Sequence, residues 1–437
     1  MSSLRTTPGF MIAAAALLVS MVPGAVAFAG MKHGFVVYFA LAQGALYAIF
    51  AWLLLRNRHA HPVQLSRRYF FILLVFVIVM RALLLFSPPH STDVYRYVWD
   101  GRVQAEGINP YRYVPADPAL ERLRDHDIYL NVNRKDYAPT IYPPAAQLIY
   151  FAVSRLSETV TMMKAAMLAF EGLAVWALVR LLAARGLPIV LASLYLLHPL
   201  PVWEVAGSGH VDVVAVGFTL LALLAAERGK RFASGVALAA GMATKYFPIT
   251  LTPAIYKRWD CRMPAAFAAT ALALYLPYFS AGKNVFGFLG GYAGEEFGEG
   301  DGLYIAAILR QLGFGAAALP IYLALAAVTL FVLAWRSGFR DASEKPDLRG
   351  AFAIAVAFTV LFSPHYAWYF LWLVPFLCFF PKPSVFWLTL SAPILYRAGW
   401  PVAFAGQSIL YVPFAVLLAV ENFRPVQKEA PVGRAVA

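Results

Sequence analysis

The chain has 437 residues, 61% of them hydrophobic and only 14% charged, with a formal net charge of +13. Soluble proteins carry about 25% charged residues, so this composition excludes a soluble globular domain and indicates a chain mostly embedded in lipid. The basic residues sit largely in short links between apolar runs, where they orient a chain across a bilayer rather than bind nucleic acid.

Two cysteines, Cys261 and Cys378, are too few and too far apart for a disulfide framework or a zinc site. A bilayer crossing needs about 20 apolar residues, so the length allows ~12–14 helices plus one sizeable loop. The expected fold is an all-α polytopic membrane protein with a large first extracytoplasmic loop that holds juxtamembrane helices.

Residues 10–30 are apolar after Arg5 and end in AVA and AFA triplets. These would suit a cleaved signal peptide, but a retained first helix is preferred. Residues 35–55 then run inward. Arg56, Arg58, Arg67 and Arg68 form a cytoplasmic link, and 69–86 run outward. Residues 87–142, a long polar interruption, therefore lie outside. Apolar runs follow at roughly 143–157, 162–184, 187–200, 210–226, 232–256 and 262–280. An acidic, Gly-rich link at 281–302 contains AGEEFGEGD, and runs near 315–335, 350–363, 366–381, 384–400 and 402–420 complete the chain. Arg336, Arg340, Lys345 and Arg349 mark another cytoplasmic link, as does the tail with Arg424, Lys428 and Arg434.

The basic links ERGKR (227–231) and KRWDCR (257–262) both read as cytoplasmic, yet a single apolar run separates them. That run is expected to enter and return, broken near Pro248, and one segment within 143–200 then also fails to cross. Irregular backbone at membrane depth is tolerated where it lines a protein cavity. Simple alternation would instead put Arg228 outside and the 201–212 link inside. The whole is one integral membrane domain without a fixed-period repeat. Residues 1–68 precede a core at 69–280 with its loop at 87–142, and 281–437 form a C-terminal helical region.

Asp93, Tyr97 and Asp100 are spaced to share one face of a short helix. Such a helix would turn two carboxylates to a cavity, and a carboxylate in reach of a sugar hydroxyl can act as general base. A solvated loop helix with Asp–Arg pairing has an equal claim. Tyr142, in IYPP (141–144), either caps the cavity or simply opens a helix at its first-turn proline. Glu204, His210 and Asp212 fall between apolar runs, where ionisable groups are costly and face a pathway or a site. A divalent cation (Mg2+ or Mn2+) on His210 and Asp212 is one option; a buried hydrogen-bonded pair is the plainer one. Lys245 either snorkels to an interface or holds a lipid phosphate. His365 and Tyr366, in SPHYAWY (363–369), fit an aromatic interface belt or a phosphate site. No P-loop or dinucleotide fingerprint is present, so an enzyme of this kind takes its activated substrate from the membrane.

Taken together, TDVYRYVWDG (92–101), GINPY (107–111), IYPP (141–144), HP (198–199), GHVD (209–212), KYFP (245–248) and SPHY (363–366) resemble the GT-C superfamily of membrane glycosyltransferases. The likeness is strongest to bacterial polyprenol-phosphate-mannose-dependent mannosyltransferases and to the catalytic subunit of the first GPI mannosyltransferase, and it covers roughly residues 69–380. It implies a multi-pass protein of the bacterial inner membrane and an inverting transfer of a sugar, mannose by likeness. The donor would be a polyprenyl-phosphate sugar and the acceptor a glycan or glycolipid, met on the periplasmic face. It implies Asp93 as the acceptor-activating base, Tyr95 and Asp100 as further substrate-binding loop positions, and His210, Asp212, Lys245, His365 and Tyr366 lining the donor phosphate or the acceptor. Beside these, Arg96 and Arg102, with Lys245 and His365, are the candidates to neutralise the departing phosphate, and Tyr142 is the candidate cap of the cavity. Ser91 stands where several such loops carry a second acid, which weakens any expectation of a metal. A lipid-linked sugar flippase or small-molecule transporter is the rival from another class, although the inverted repeats frequent in transporters are not evident.

Overall fold

The computed structural model describes residues 7–27, 33–56, 67–298, 302–339, 344–396 and 402–423. The regular structure among them is entirely helical, and the chain is an all-α polytopic membrane protein. The basic positions Arg58, Arg340, Arg424, Lys428 and Arg434 lie outside the described residues.

Three helices open the chain: α1 (Thr7–Ala27), α2 (His33–Leu55) and α3 (Arg67–Leu85). α1 packs on both α2 and α3. The Tyr47 hydroxyl on α2 donates to the Leu194 carbonyl at 2.6 Å, and Gln43 accepts from the Trp203 indole at 2.6 Å. The loop helix α4 (Asp93–Ala105) lies against α5 (Pro144–Ser154). Their close approach needs Gly101, since a methyl group there would overlap the Tyr150 carbonyl and the Ser154 hydroxyl. α6 (Val160–Ala184), α7 (Asp212–Glu227), α8 (Arg231–Met242) and α9 (Arg262–Tyr275) form the central bundle. A short α10 (Leu289–Phe297), then α11 (Ala318–Gly338), α12 (Leu348–Phe362) and α13 (Val402–Phe423) complete the helices used below.

Five helical stretches among the described residues are long and apolar enough to cross a bilayer: Tyr38–Leu55, Val160–Ala184, Arg262–Phe286, Tyr304–Gly338 and Phe404–Phe423. A sixth arises if Ile189–Leu196 and Pro199–Gly207, bent by 57°, count as one span. The length-based count of ~12–14 treats every apolar run as one straight helix, and several are broken. Run 187–200 bends at His198–Pro199, where proline removes a donor and clashes with the preceding turn. Run 232–256 stops being α-helical after Met242 and resumes as a 3-10 turn at Phe247–Leu251.

Ion pairs show that this second run enters and returns. Glu344 pairs with Arg231 at its start and with Lys257 just past its end. Glu227 accepts from Arg185 (2.7 Å) and pairs with Lys345 (3.0 Å), and the Asp347 amide donates to the Ala254 carbonyl at 2.8 Å. Both basic links therefore meet one segment, 344–347, on one face of the bundle.

A buried pair ties α3 to α6. Arg81 Nε and Nη2 donate to the two Glu171 oxygens, each at 2.7 Å, and Nη1 reaches the Leu196 carbonyl at 3.2 Å. Removing one member of a buried ion pair strands the other charge, at about 3–5 kcal/mol. Arg81→Met should therefore sharply lower the thermal unfolding temperature of detergent-purified protein. The double variant Arg81→Met/Glu171→Met should recover most of the loss.

Candidate active site

α4 begins at Asp93, so the carboxylate stands in the first turn, where unsatisfied amides favour a negative charge. The buried side chains Val94, Tyr97, Val98 and Trp99 anchor the helix, and its N-terminal end opens to a cavity of about 320 Å3. Asn133, from the far end of the same loop, donates to Asp93 Oδ1 at 2.7 Å and orients it.

Lys245 lines the same cavity from the break after α8, where the backbone is no longer helical. Its ammonium lies 3.4 Å from Asp212 Oδ1, 4.8 Å above the Tyr369 ring and 5.8 Å above that of Tyr142. Asp212 is buried, and no other described group hydrogen-bonds its oxygens. His210 is also buried; Nδ1 lies 2.8 Å from Glu204 Oε2, and the ring stacks on Trp368 at 4.1 Å. Tyr396 donates to Glu204 at 2.7 Å and itself lines the cavity. Among the described residues no three His, Cys, Asp or Glu side chains gather as a metal-ligand set. His210 and Asp212, the candidate pair, turn to different partners.

Arg134 is a further cation on the cavity wall. It holds a left-handed backbone (φ 51°), uncommon for a residue with a side chain. Its Nε donates to Glu295 on α10 at 2.6 Å, and its guanidinium sits 5.3 Å from the Tyr292 ring. Burial alone would lower its pKa, but Glu295 raises it on balance, so it stays charged. The next residue of α10, Glu296, lies 3.2 Å from His365 Nδ1, while His365 Nε2 meets the Gly302 carbonyl at 2.9 Å. The acidic link is thus a helix clamped by two ion pairs across the site.

A second cavity, about 440 Å3 and almost wholly apolar, adjoins the first. Ile141, Tyr142, Lys245, Tyr292 and Tyr369 line both. Phe247, Leu289, Phe358, Phe362 and Trp372 extend the greasy part. A charged chamber opening beside an apolar one suits a ligand with a polar head and a hydrocarbon tail.

The sequence-derived candidates separate into two groups. Asp93, Tyr142, Lys245 and Tyr366 line the charged cavity. Asp212 is paired with Lys245, His210 stacks on the wall residue Trp368, and His365 adjoins Tyr366. Arg96, Asp100 and Arg102 depart from expectation. Arg96 donates to Asp100 at 2.8 Å and to the Ala138 carbonyl at 3.2 Å, and Gln147 donates to Asp100 at 2.9 Å. Arg102 is held by Asp125 and Glu158, each at 2.7 Å. Burial would raise the Asp125 pKa, yet the Tyr129 and Ile128 amides and Arg102 hold it below the ordinary value. The shared face of α4 is spent on α5, where Tyr97 stacks on Tyr150 at 4.6 Å. Tyr95, half-buried, packs against the core. Asn133, Arg134, Tyr292, Trp368, Tyr369 and Tyr396 escaped sequence reasoning. The only signal for Arg134 was the acidic pair Glu295–Glu296, which needed a basic partner.

Residues 5–260 match the profile of a family described as "Alpha-(1->6)-mannopyranosyltransferase, N-terminal domain", more than half of the chain. The chain belongs to this family. The matched stretch holds Asp93, Arg134, Asp212 and Lys245 but not α10 or His365. A curated relative, "Alpha-(1->6)-mannopyranosyltransferase A" of Mycobacterium tuberculosis, is 24% identical over 330 residues, covering 68% of this chain and 62% of the relative. The chain thus aligns with less than two thirds of that relative's length. No solved structure matches it.

The clamp predicts a pH effect. The His365 pKa is raised above its ordinary 6.5, first by the hydrogen bond to Glu296, against the opposing effect of burial. A raised folded-state pKa gives stability that is complete below the unfolded value and lost as pH rises through the folded one. Thermal stability followed upward from pH 6 should fall through that window, and His365→Gln should flatten this part of the profile.

Proposed function

We propose that this protein is a membrane mannosyltransferase. It transfers mannose from a polyprenyl-phosphate carrier to a hydroxyl of a glycan or glycolipid acceptor, on the periplasmic face of the inner membrane. The relative's name favours an α-(1→6) linkage. One observation carries the proposal: a carboxylate and two cations face one chamber that shares a wall with an apolar cavity.

In this scheme the polyprenyl tail occupies the apolar cavity and the mannosyl phosphate enters beside Lys245 and Arg134. Asn133 holds the Asp93 carboxylate toward the acceptor. Asp93 takes the proton of the acceptor hydroxyl as that oxygen attacks the anomeric carbon. The bond from that carbon to the phosphate oxygen breaks, and polyprenyl phosphate leaves with the electron pair. Lys245 and Arg134, fixed in place by Asp212 and Glu295, balance the charge that grows on the phosphate. Cations preorganised toward developing charge often supply the largest catalytic term. We assign the phosphate charge to these two cations, which line the chamber beside Asp93.

Purified protein supplied with polyprenyl-phosphate mannose and candidate acceptors should release polyprenyl phosphate. Movement of the lipid across vesicles without bond cleavage would instead indicate a transporter. Asp93→Asn should cut turnover by ~10²–10⁴-fold without changing the unfolding temperature appreciably. A folded Asp93→Asn protein with full activity would overturn the assignment. Lys245→Met should lower turnover by a similar order, as loss of a single positioned charge stabiliser costs ~10²–10³-fold. Arg102→Gln should act mainly through stability, because Arg102 belongs to the loop scaffold.

A further inference from the structure

The opposite end of the bundle carries a third, larger cavity, about 940 Å3. Four helices connect the two ends. α7 runs from Asp212 at the active-site end to Glu227, and its 16 residues span ~24 Å at 1.5 Å per residue. α8 runs back from Arg231 toward Lys245, α12 from Leu348 toward His365, and α6 ends at Ala184 beside Arg185. The clustering of basic links assigns this end to the cytoplasm.

Among the described residues, the cavity wall holds Arg185, Lys257, Arg258, Lys345 and Arg349, against one carboxylate, Asp347. Glu227 engages Arg185 and Lys345, and Glu344 engages Lys257. Asp347 caps α12, accepting from the Gly350 amide at 3.0 Å and from the Ser337 hydroxyl at 2.9 Å. Arg258 and Arg349 form no ion pair among the described residues, and both are exposed. The guanidinium of Arg258 lies over the Trp259 and Phe339 rings, at 5.2 and 5.5 Å. Trp259 is 84% exposed and held at φ 66°, an outlier for a bulky residue. An exposed indole beside an arginine is the usual furniture of a membrane–water interface. Leu187, Phe379 and Phe380 make part of the wall apolar.

We propose that this cavity binds the head group of an anionic phospholipid, its phosphate between Arg258 and Arg349 and an acyl chain against Leu187, Phe379 and Phe380. Arginine suits phosphate because its planar fork donates two hydrogen bonds at once. The apolar part of the wall favours a lipid over a soluble anion, which would leave that surface uncovered.

The test uses the full chain purified in detergent. Thermal unfolding and native mass spectrometry are read with phosphatidylglycerol, with phosphatidylcholine and with inorganic phosphate. Phosphatidylglycerol should raise the unfolding temperature more than phosphatidylcholine does. At least one phosphatidylglycerol should stay bound under collision energies that strip phosphatidylcholine. Arg258→Gln/Arg349→Gln should weaken the apparent phosphatidylglycerol affinity about thirtyfold, and Arg258→Lys/Arg349→Lys should weaken it less. Equal responses of the wild type to the two lipids would overturn the proposal, and this arm needs no variant to fold. Full reproduction of the shift by inorganic phosphate would also overturn it, in favour of a free anion site. Unchanged affinity in the glutamine variant would place the lipid elsewhere. No arm measures sugar transfer, so this outcome is separate from that of the mannosyltransferase proposal.

Discussion

The charge pair between Lys245 and Asp212 constrains the rest of the site. An ammonium and a carboxylate among aromatic rings and apolar helices are affordable only together, since a single buried charge costs several kcal/mol. Lys245 reaches its partner because α8 stops at Met242 and the backbone opens before Phe247. Asp212 sits in the first turn of α7, so the pair joins a helix start to a helix break. The same break turns the chain back, which brings Lys257 to the face that holds Arg231. Site chemistry and irregular topology therefore have one cause: non-helical backbone at depth is tolerated where it borders a cavity.

Around that pair the site is assembled from distant stretches. Asp93 and Arg134 come from the two ends of the first loop, Lys245 from mid-chain, and Tyr366, Trp368 and Tyr369 from a late segment. The acidic helix α10 holds these pieces together, through Glu295 to Arg134 and Glu296 to His365, while the Tyr292 and Tyr369 hydroxyls meet at 2.6 Å. Tyr292 also stands on the wall common to the charged and the apolar cavities. A small displacement of this one helix would change both chambers, so the clamp links loop stability to site shape.

The far end shows that topology charges are also structural. Arg185, Arg231, Lys257 and Lys345 would orient the chain even if unpaired, yet Glu227 and Glu344 gather them around segment 344–347. The four basic partners thus serve twice, once as orienting charges and once in fastening the turns at this end of the bundle. Arg258 and Arg349 are left over from that arrangement, and their surplus charge distinguishes this cavity from ordinary packing.

The sequence by itself determined the fold class, because low charge and long apolar runs admit only lipid-embedded helices, and it marked the 87–142 loop with Asp93 near its start. It raised the return of run 232–256 as one of two topologies, and the ion pairs to segment 344–347 decided between them. Only the tertiary structure decided which members of the loop helix meet the cavity. Periodicity puts Asp93, Tyr97 and Asp100 on one face, but it does not say that α5 covers most of that face with Tyr150 and Gln147. Likewise Arg96, Arg102 and Arg134 are equivalent cations in the sequence. Asp100 neutralises the first, Asp125 and Glu158 the second, and a helix 161 residues away turns the third toward the site. Local pattern fixes which way a side chain leaves its own helix; what waits for it there depends on residues far along the chain.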